Sequence, residues 1–149
     1  MSGSAHVKHK IKRVDLFLNN EHLLNERTTI YQALTQPITS TLPTLAIAIV
    51  WSGTCGHEYH LLRVSLLVNW RSIVLLNMVV EQKNLDTQET NNLFLDELKE
   101  VIGKHPRGYI VTDGGFLMPS YSKIRALGWH VIGRLRGTMK CKLENQSQW

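Results

Sequence analysis

Three strand-like runs follow one another closely in the middle of the chain, and they constrain the fold more than any other feature. Residues 45–51, 59–68 and 71–80 are each apolar, carry β-branched side chains and have about the length of one strand. Gly53 and Gly56 mark the first turn, and Asn69 lies in the second. Runs this close together favour an antiparallel meander.

The pattern changes after the meander to alternating helices and strands. Asp86 and Glu89 resemble a capping pair for an amphipathic helix that Gly103 ends. Its predicted apolar face consists of Leu93, Phe94, Leu98, Val101 and Ile102. A strand at 109–112, a helix at 119–127 and a strand at 129–135 follow. The order βββαβαβ predicts an α/β fold, a ribonuclease H-like mixed sheet with helices packed on it.

Two helices are predicted before the first strand. Residues 6–19 form a short basic helix, and Asn20 caps a second helix that Pro37 ends. The basic residues of the first helix are Lys8, Lys10, Lys12 and Arg13. The predicted organisation is a helical basic arm at 1–36, a linker rich in Pro, Thr and Ser at 37–43, a core at 44–137 and a frayed polar tail at 138–149.

The length and net charge of the chain limit the number of domains and the kind of partner it can have. A chain of 149 residues can bury one proper core but not two. Its formal net charge of +5 favours an anionic partner, and nucleic acid is the first candidate. Cys55 and Cys141 match no metal-ligand or disulfide spacing, so a reducing cytoplasm fits best. No apolar run has the length of a signal peptide core or of a membrane span.

Asp113 is the leading candidate for chemistry. It follows the apolar run at 109–111 and precedes Gly114 and Gly115, so its carboxylate is expected at the carboxyl end of a central strand. Ligand-binding and catalytic groups gather at such ends in open α/β sheets. The alternative is a structural aspartate that caps the following turn.

Seven short segments share their order and spacing with a known family. They are residues 10–15, 19–23, 25–27, 62–65, 110–116, 126–129 and 133–137. Together they resemble the transposases of insertion sequence type four, particularly the transposon Tn-ten group. The most specific part is a strand ending in Asp-Gly-Gly-Phe, followed by Leu-Gly-Trp and then Arg-Leu-Arg-Gly.

The resemblance implies cut-and-paste DNA transposition, in which two aspartates and one glutamate hold two Mg²⁺ ions. Asp113 matches one aspartate. The other should stand immediately before Trp51, and Val50 occupies that position. Valine cannot ligate Mg²⁺, and one base change converts an aspartate codon to a valine codon.

The third carboxylate lies, in the family, on a downstream helix with a Tyr, Arg, Glu, Lys signature. Nothing after Gly137 offers that spacing, and Glu144 lies in a polar tail. The resemblance therefore implies an incomplete, truncated domain with Asp113 as its one retained catalytic and metal-binding residue. Catalysis is expected to be lost.

The basic residues give the predicted DNA contacts. In the family, the region before the core helps to bind transposon ends, which suits Lys8, Lys10, Lys12 and Arg13. Arg134 and Arg136 would share one face of the last strand and hold DNA backbone near Asp113.

Two further hypotheses stay open. One is a non-catalytic DNA-binding remnant that occupies transposon ends or inhibits an intact transposase, and the other is a decayed reading frame without function. A zinc site at His57 and His60 is disfavoured, because an offset of three on a strand directs the two side chains to opposite faces.

Overall fold

Three helices come first in the chain, and the elements after them follow the predicted order βββαβαβ. The structure is a computed structural model that describes residues 3–54, 56, 58–104, 107–116 and 118–134. Its elements are α1 (Gly3–Leu18), α2 (Glu21–Asn25), α3 (Arg27–Thr39), β1 (Leu45–Thr54), β2 (Tyr59–Val68), β3 (Arg71–Glu81), α4 (Gln88–Ile102), β4 (Gly108–Thr112), α5 (Met118–Ala126) and β5 (His130–Gly133).

The five strands form one mixed sheet in the order β3-β2-β1-β4-β5. β1, β2 and β3 pair antiparallel as the predicted meander, whereas β4 pairs parallel with β1 and β5 pairs parallel with β4. β4 therefore lies beside β1 although a strand pair and a helix separate them in sequence. This mixed sheet with helices confirms the predicted α/β, ribonuclease H-like class.

The core lies between the sheet and a single layer of helices. Leu45, Ile47 and Ile49 of β1 are fully buried. Phe94 and Leu98 of α4 belong to the same core cluster. Trp129 is also buried. Leu93 is an exception, since it is exposed while Leu95 takes a place in the core.

α3 is fixed to this layer by polar contacts as well as by packing. The Arg27 guanidinium donates to the backbone carbonyl of Asn77 on β3, at 3.0 Å, and forms an ion pair with Glu97 on α4. The Thr28 hydroxyl donates to the same Glu97 carboxylate at 3.2 Å. These contacts tie the second half of the predicted arm to the core.

The opposite face of the sheet is open in the described part of the chain. Apolar side chains there include Tyr109 and Val111 of β4 and Ile132 of β5, each more than one-third exposed. Tyr109 stacks on the His130 ring, with ring centroids 5.2 Å apart. Sheets with parallel strands are usually covered on both faces. The predicted incompleteness of the domain stays a prediction.

Two predicted helix boundaries were wrong. Asn20 caps as expected by accepting from the His22 backbone N–H, but the helix breaks at Glu26 into α2 and α3. α3 then passes through Pro37 and ends at Thr39. The buried Thr39 hydroxyl donates to the Thr35 carbonyl, and this bond supports a last turn that proline weakens.

The cap of α4 also differs from the prediction. Thr87, rather than Asp86, is the N-cap residue, and its hydroxyl accepts from the Thr90 backbone N–H. Asp86 precedes it with a positive φ of 55°. This conformation releases the Asp86 side chain for a different contact. None of the described helices is long and apolar enough to cross a bilayer.

Candidate active site

Val50 and Asp113 lie side by side at the carboxyl ends of two neighbouring strands. The last ladder pair between β1 and β4 is Ile49 with Thr112, so the following residues are Val50 and Asp113. Ile49 and Thr112 are buried against the helices, whereas Val50 is 41% exposed and belongs to the open face. The assignment of Val50 to the first aspartate position stays a prediction.

The Asp113 carboxylate is held by two backbone groups. Its Oδ1 accepts from the Gly115 N–H at 2.9 Å, and its Oδ2 accepts from the Trp51 N–H at 3.4 Å. The first bond is that of an aspartate that starts a turn. The second fixes the carboxylate toward β1. Asp113 therefore performs the structural role of the alternative interpretation while standing where the catalytic interpretation requires it.

A second carboxylate, that of Asp86, lies close to Asp113 beside Gly115. A Cβ on Gly115 would lie 2.8 Å from Asp86 Oδ1 and 3.2 Å from Asp113 Oδ1, so both oxygens approach the same small space. It would also lie 2.8 Å from the Trp51 ring. Only glycine fits there without displacement of the carboxylates or the indole. The sequence pattern assigned Asp86 to a helix cap and gave no signal for this contact.

The described residues do not provide the two-ion centre that the resemblance implies. Two divalent cations at a phosphodiester need several converging carboxylate oxygens. Within the described ranges, no cluster of three or more His, Cys, Asp or Glu side chains could hold a metal ion. Asp113 and Asp86 are two carboxylates, and Val50 contributes no oxygen. The donor set therefore does not fit that centre.

Basic side chains flank the pair on the open face. Gly133 is the partner of Thr112 in the β4–β5 ladder, so Arg134 follows beside Asp113. On the other side, Arg63 of β2 is the direct antiparallel partner of Val50. Both arginines are exposed. The prediction for Arg134 named this neighbourhood, whereas Arg63 was not recognised as a site residue.

The remaining residues considered in the sequence lie on α1, in the C-terminal tail or near the turn between β1 and β2. Every described side chain of α1 from residue 7 to residue 17 is exposed. The basic ones among them are Lys8, Lys10, Lys12 and Arg13. Arg136 and Glu144 lie outside the described residues, as does His57. His60 is buried and hydrogen bonded to Gln82.

A mixed sheet of this order, with an aspartate at the carboxyl end of β4 beside β1, defines the class of ribonuclease H-like domains. Comparison with known families makes the assignment specific. Residues 27–147 match the family model of the transposase DDE domain. Because the match spans most of the chain, this protein belongs to the transposase DDE family. No curated protein and no solved structure shows a significant match to it.

Proposed function

We propose that this member of the transposase DDE family binds DNA without cleaving it. The observation that carries the proposal is the pair formed by Val50 and Asp113. The family chemistry needs metal-bound oxygens at a phosphodiester, and valine supplies none at the position next to Asp113. Asp113 would be the retained member of the catalytic set, with Mg²⁺ as the ion of the lineage.

DNA binding is supported by the distribution of charge. The four basic residues of α1 lie within its exposed residues 7–17, and Arg134 stands beside Asp113. Lysine and arginine on such surfaces bind phosphate backbones by releasing counterions. We propose contacts from Lys8, Lys10, Lys12, Arg13, Arg134 and Arg136, with residues 1–36 as a DNA-binding arm.

We also propose a narrower family assignment for this chain. The seven segments described above support a place among the transposases of insertion sequence type four, near the transposon Tn-ten group. The DNA would then be transposon ends in the cytoplasm. A chain that occupies those ends without cutting them would compete with an intact transposase.

Equilibrium titration tests the binding part. A fluorescein-labelled duplex of mixed sequence should bind with an affinity that falls steeply with salt, by a slope of about 0.9 per phosphate contact. Neutralising the four basic residues of α1 to glutamine should reduce that slope by about three to four. The matched control neutralises four exposed basic residues elsewhere, namely Arg71, Lys83, Lys99 and Lys104. Equal loss in both quadruple variants would remove the arm from the proposal.

A further inference from the structure

Five residues form one row across the open face at the level of Asp113. Three are ladder partners, Asn77, Arg63 and Val50. The other two, Asp113 and Arg134, each follow the last ladder pair of β4 and β5 by one residue. Direct partners on neighbouring strands carry their side chains on the same face. The row therefore runs over the whole width of the sheet and has Val50 near its middle.

Arg63 is oriented within this row by its neighbour. Its Nε donates to Asn77 Oδ1 at 2.9 Å, and Asn77 is its direct partner in the β2–β3 ladder. This bond uses one of the five guanidinium N–H donors and limits the rotation of the side chain. The terminal nitrogens of the guanidinium carry the other four donors. A planar group of this kind suits bidentate recognition of phosphate.

The substitution at position 50 changes the charge of the row. With valine there, the row itself carries two arginines and the Asp113 carboxylate, and the Asp86 carboxylate lies beside Asp113 just outside the row. An aspartate at the same position would make the row neutral and would place a second carboxylate between the arginines. A further carboxylate there would repel an approaching phosphate unless a cation bridged the two, whereas Val50 adds no negative charge. The loss of the metal ligand therefore favours direct anion contact.

We propose that Arg63 is a phosphate-binding residue that, together with Arg134, holds the DNA backbone over Val50 without a divalent cation. The two arginines stand three strand positions apart, roughly 14 Å between backbones, and their long side chains can converge over the two central positions. Val50 provides a small, partly exposed platform between them. The inference rests on the proposed DNA binding and specifies how the core contributes to it.

The test measures the affinity of the full chain for a fluorescein-labelled duplex in EDTA and in Mg²⁺. Arg63→Gln should weaken binding about tenfold in EDTA and lower the salt slope by about one. Arg71→Gln is the matched control, because Arg71 is an exposed arginine of the same sheet at the far end of β3. It should bind like the unaltered chain. Thermal unfolding confirms that both variants fold.

A second variant tests the role of position 50. Val50→Asp should bind DNA more weakly than the unaltered chain in EDTA and should recover affinity when Mg²⁺ is added. At matched ionic strength the unaltered chain should gain no affinity from Mg²⁺. Inorganic phosphate at matched ionic strength should not displace the duplex, because the affinity comes from a polyanion with several contacts.

The outcomes separate this inference from the proposed function. Equal affinities for Arg63→Gln and Arg71→Gln, or binding by the unaltered chain that requires Mg²⁺, would overturn the role of the row while DNA binding stands. Displacement by inorganic phosphate would assign the row to a free anion instead of DNA. A chain that binds no duplex under any condition would contradict the proposed function itself.

Discussion

Val50 and Asp113 occupy adjacent positions at the carboxyl ends of β1 and β4, directly beyond the ladder pair of Ile49 and Thr112. The carboxylate turns toward β1 and accepts from the Trp51 N–H. If these are the two aspartate positions that the resemblance implies, an alkyl group stands at one of them.

Val50→Asp should create a site that responds to divalent cations. Its new carboxylate would lie beside that of Asp113, where two oxygens can share one ion. Millimolar Mn²⁺ should raise the melting temperature of this variant by a few degrees, since a ligand that binds only the folded state stabilises it. The unaltered chain and Val50→Asn, which has similar shape without the charge, should show no such rise. A rise of the same size in Val50→Asn would contradict the prediction.

Asp113→Ala should lower the free energy of unfolding by about 1–3 kcal/mol, because it leaves the N–H groups of Gly115 and Trp51 without their acceptor. Asp113→Asn should cost less, since its remaining oxygen can still accept from Gly115. Urea denaturation measures both. If the alanine variant is as stable as the unaltered chain, the two backbone bonds have no structural role.

Trp70→Gly should stabilise the protein. Asn69 and Trp70 form the two-residue turn between β2 and β3, and both have positive φ, at 44° and 68°. Glycine adopts this region freely, whereas other residues lose about 1–2 kcal/mol there, and the Trp70 side chain is fully exposed and loses no packing. The midpoint of urea unfolding should therefore rise. A lower midpoint would mean that the indole makes contacts of its own.

Arg27→Met should lower the free energy of unfolding by about 2 kcal/mol. The change removes the bond to the Asn77 carbonyl and leaves the Glu97 carboxylate, whose side chain is 13% exposed, without its cation. Lys83→Ala is the control, because it breaks an exposed pair with Glu81 and should leave the midpoint of urea unfolding unchanged. Equal effects in the two variants would show that α3 is not fixed through Arg27.

Local sequence signals predicted the strands, the α4 helix and the place of Asp113 well. Each depends on patterns within one element, such as the apolar runs or the glycines after Asp113. The break at Glu26 and the passage of α3 through Pro37 depend on packing against α4 and β3, which lie far away in sequence. Propensity alone gives no access to such contacts.

Some features of the candidate site could likewise be predicted from the sequence, and others could not. The position of Val50 beside Asp113 could be predicted because the register of parallel strands aligns their ends. The approach of Asp86 could not, since it results from a left-handed backbone at Asp86 and the close contact at Gly115. Arg63 could have been noticed in the sequence, because it is a lone charge in an apolar strand. That it pairs with Val50 is visible only in the register of the β1–β2 ladder.

We expect this transposase-family chain to bind DNA and leave it intact, and product analysis of saturated DNA tests this most directly. Plasmid DNA is incubated with enough protein to shift all of it, in Mg²⁺ and in Mn²⁺, and is then examined on a denaturing gel. We predict intact strands with both the unaltered chain and Asp113→Asn. Nicks that form with the unaltered chain and disappear with Asp113→Asn would contradict the account.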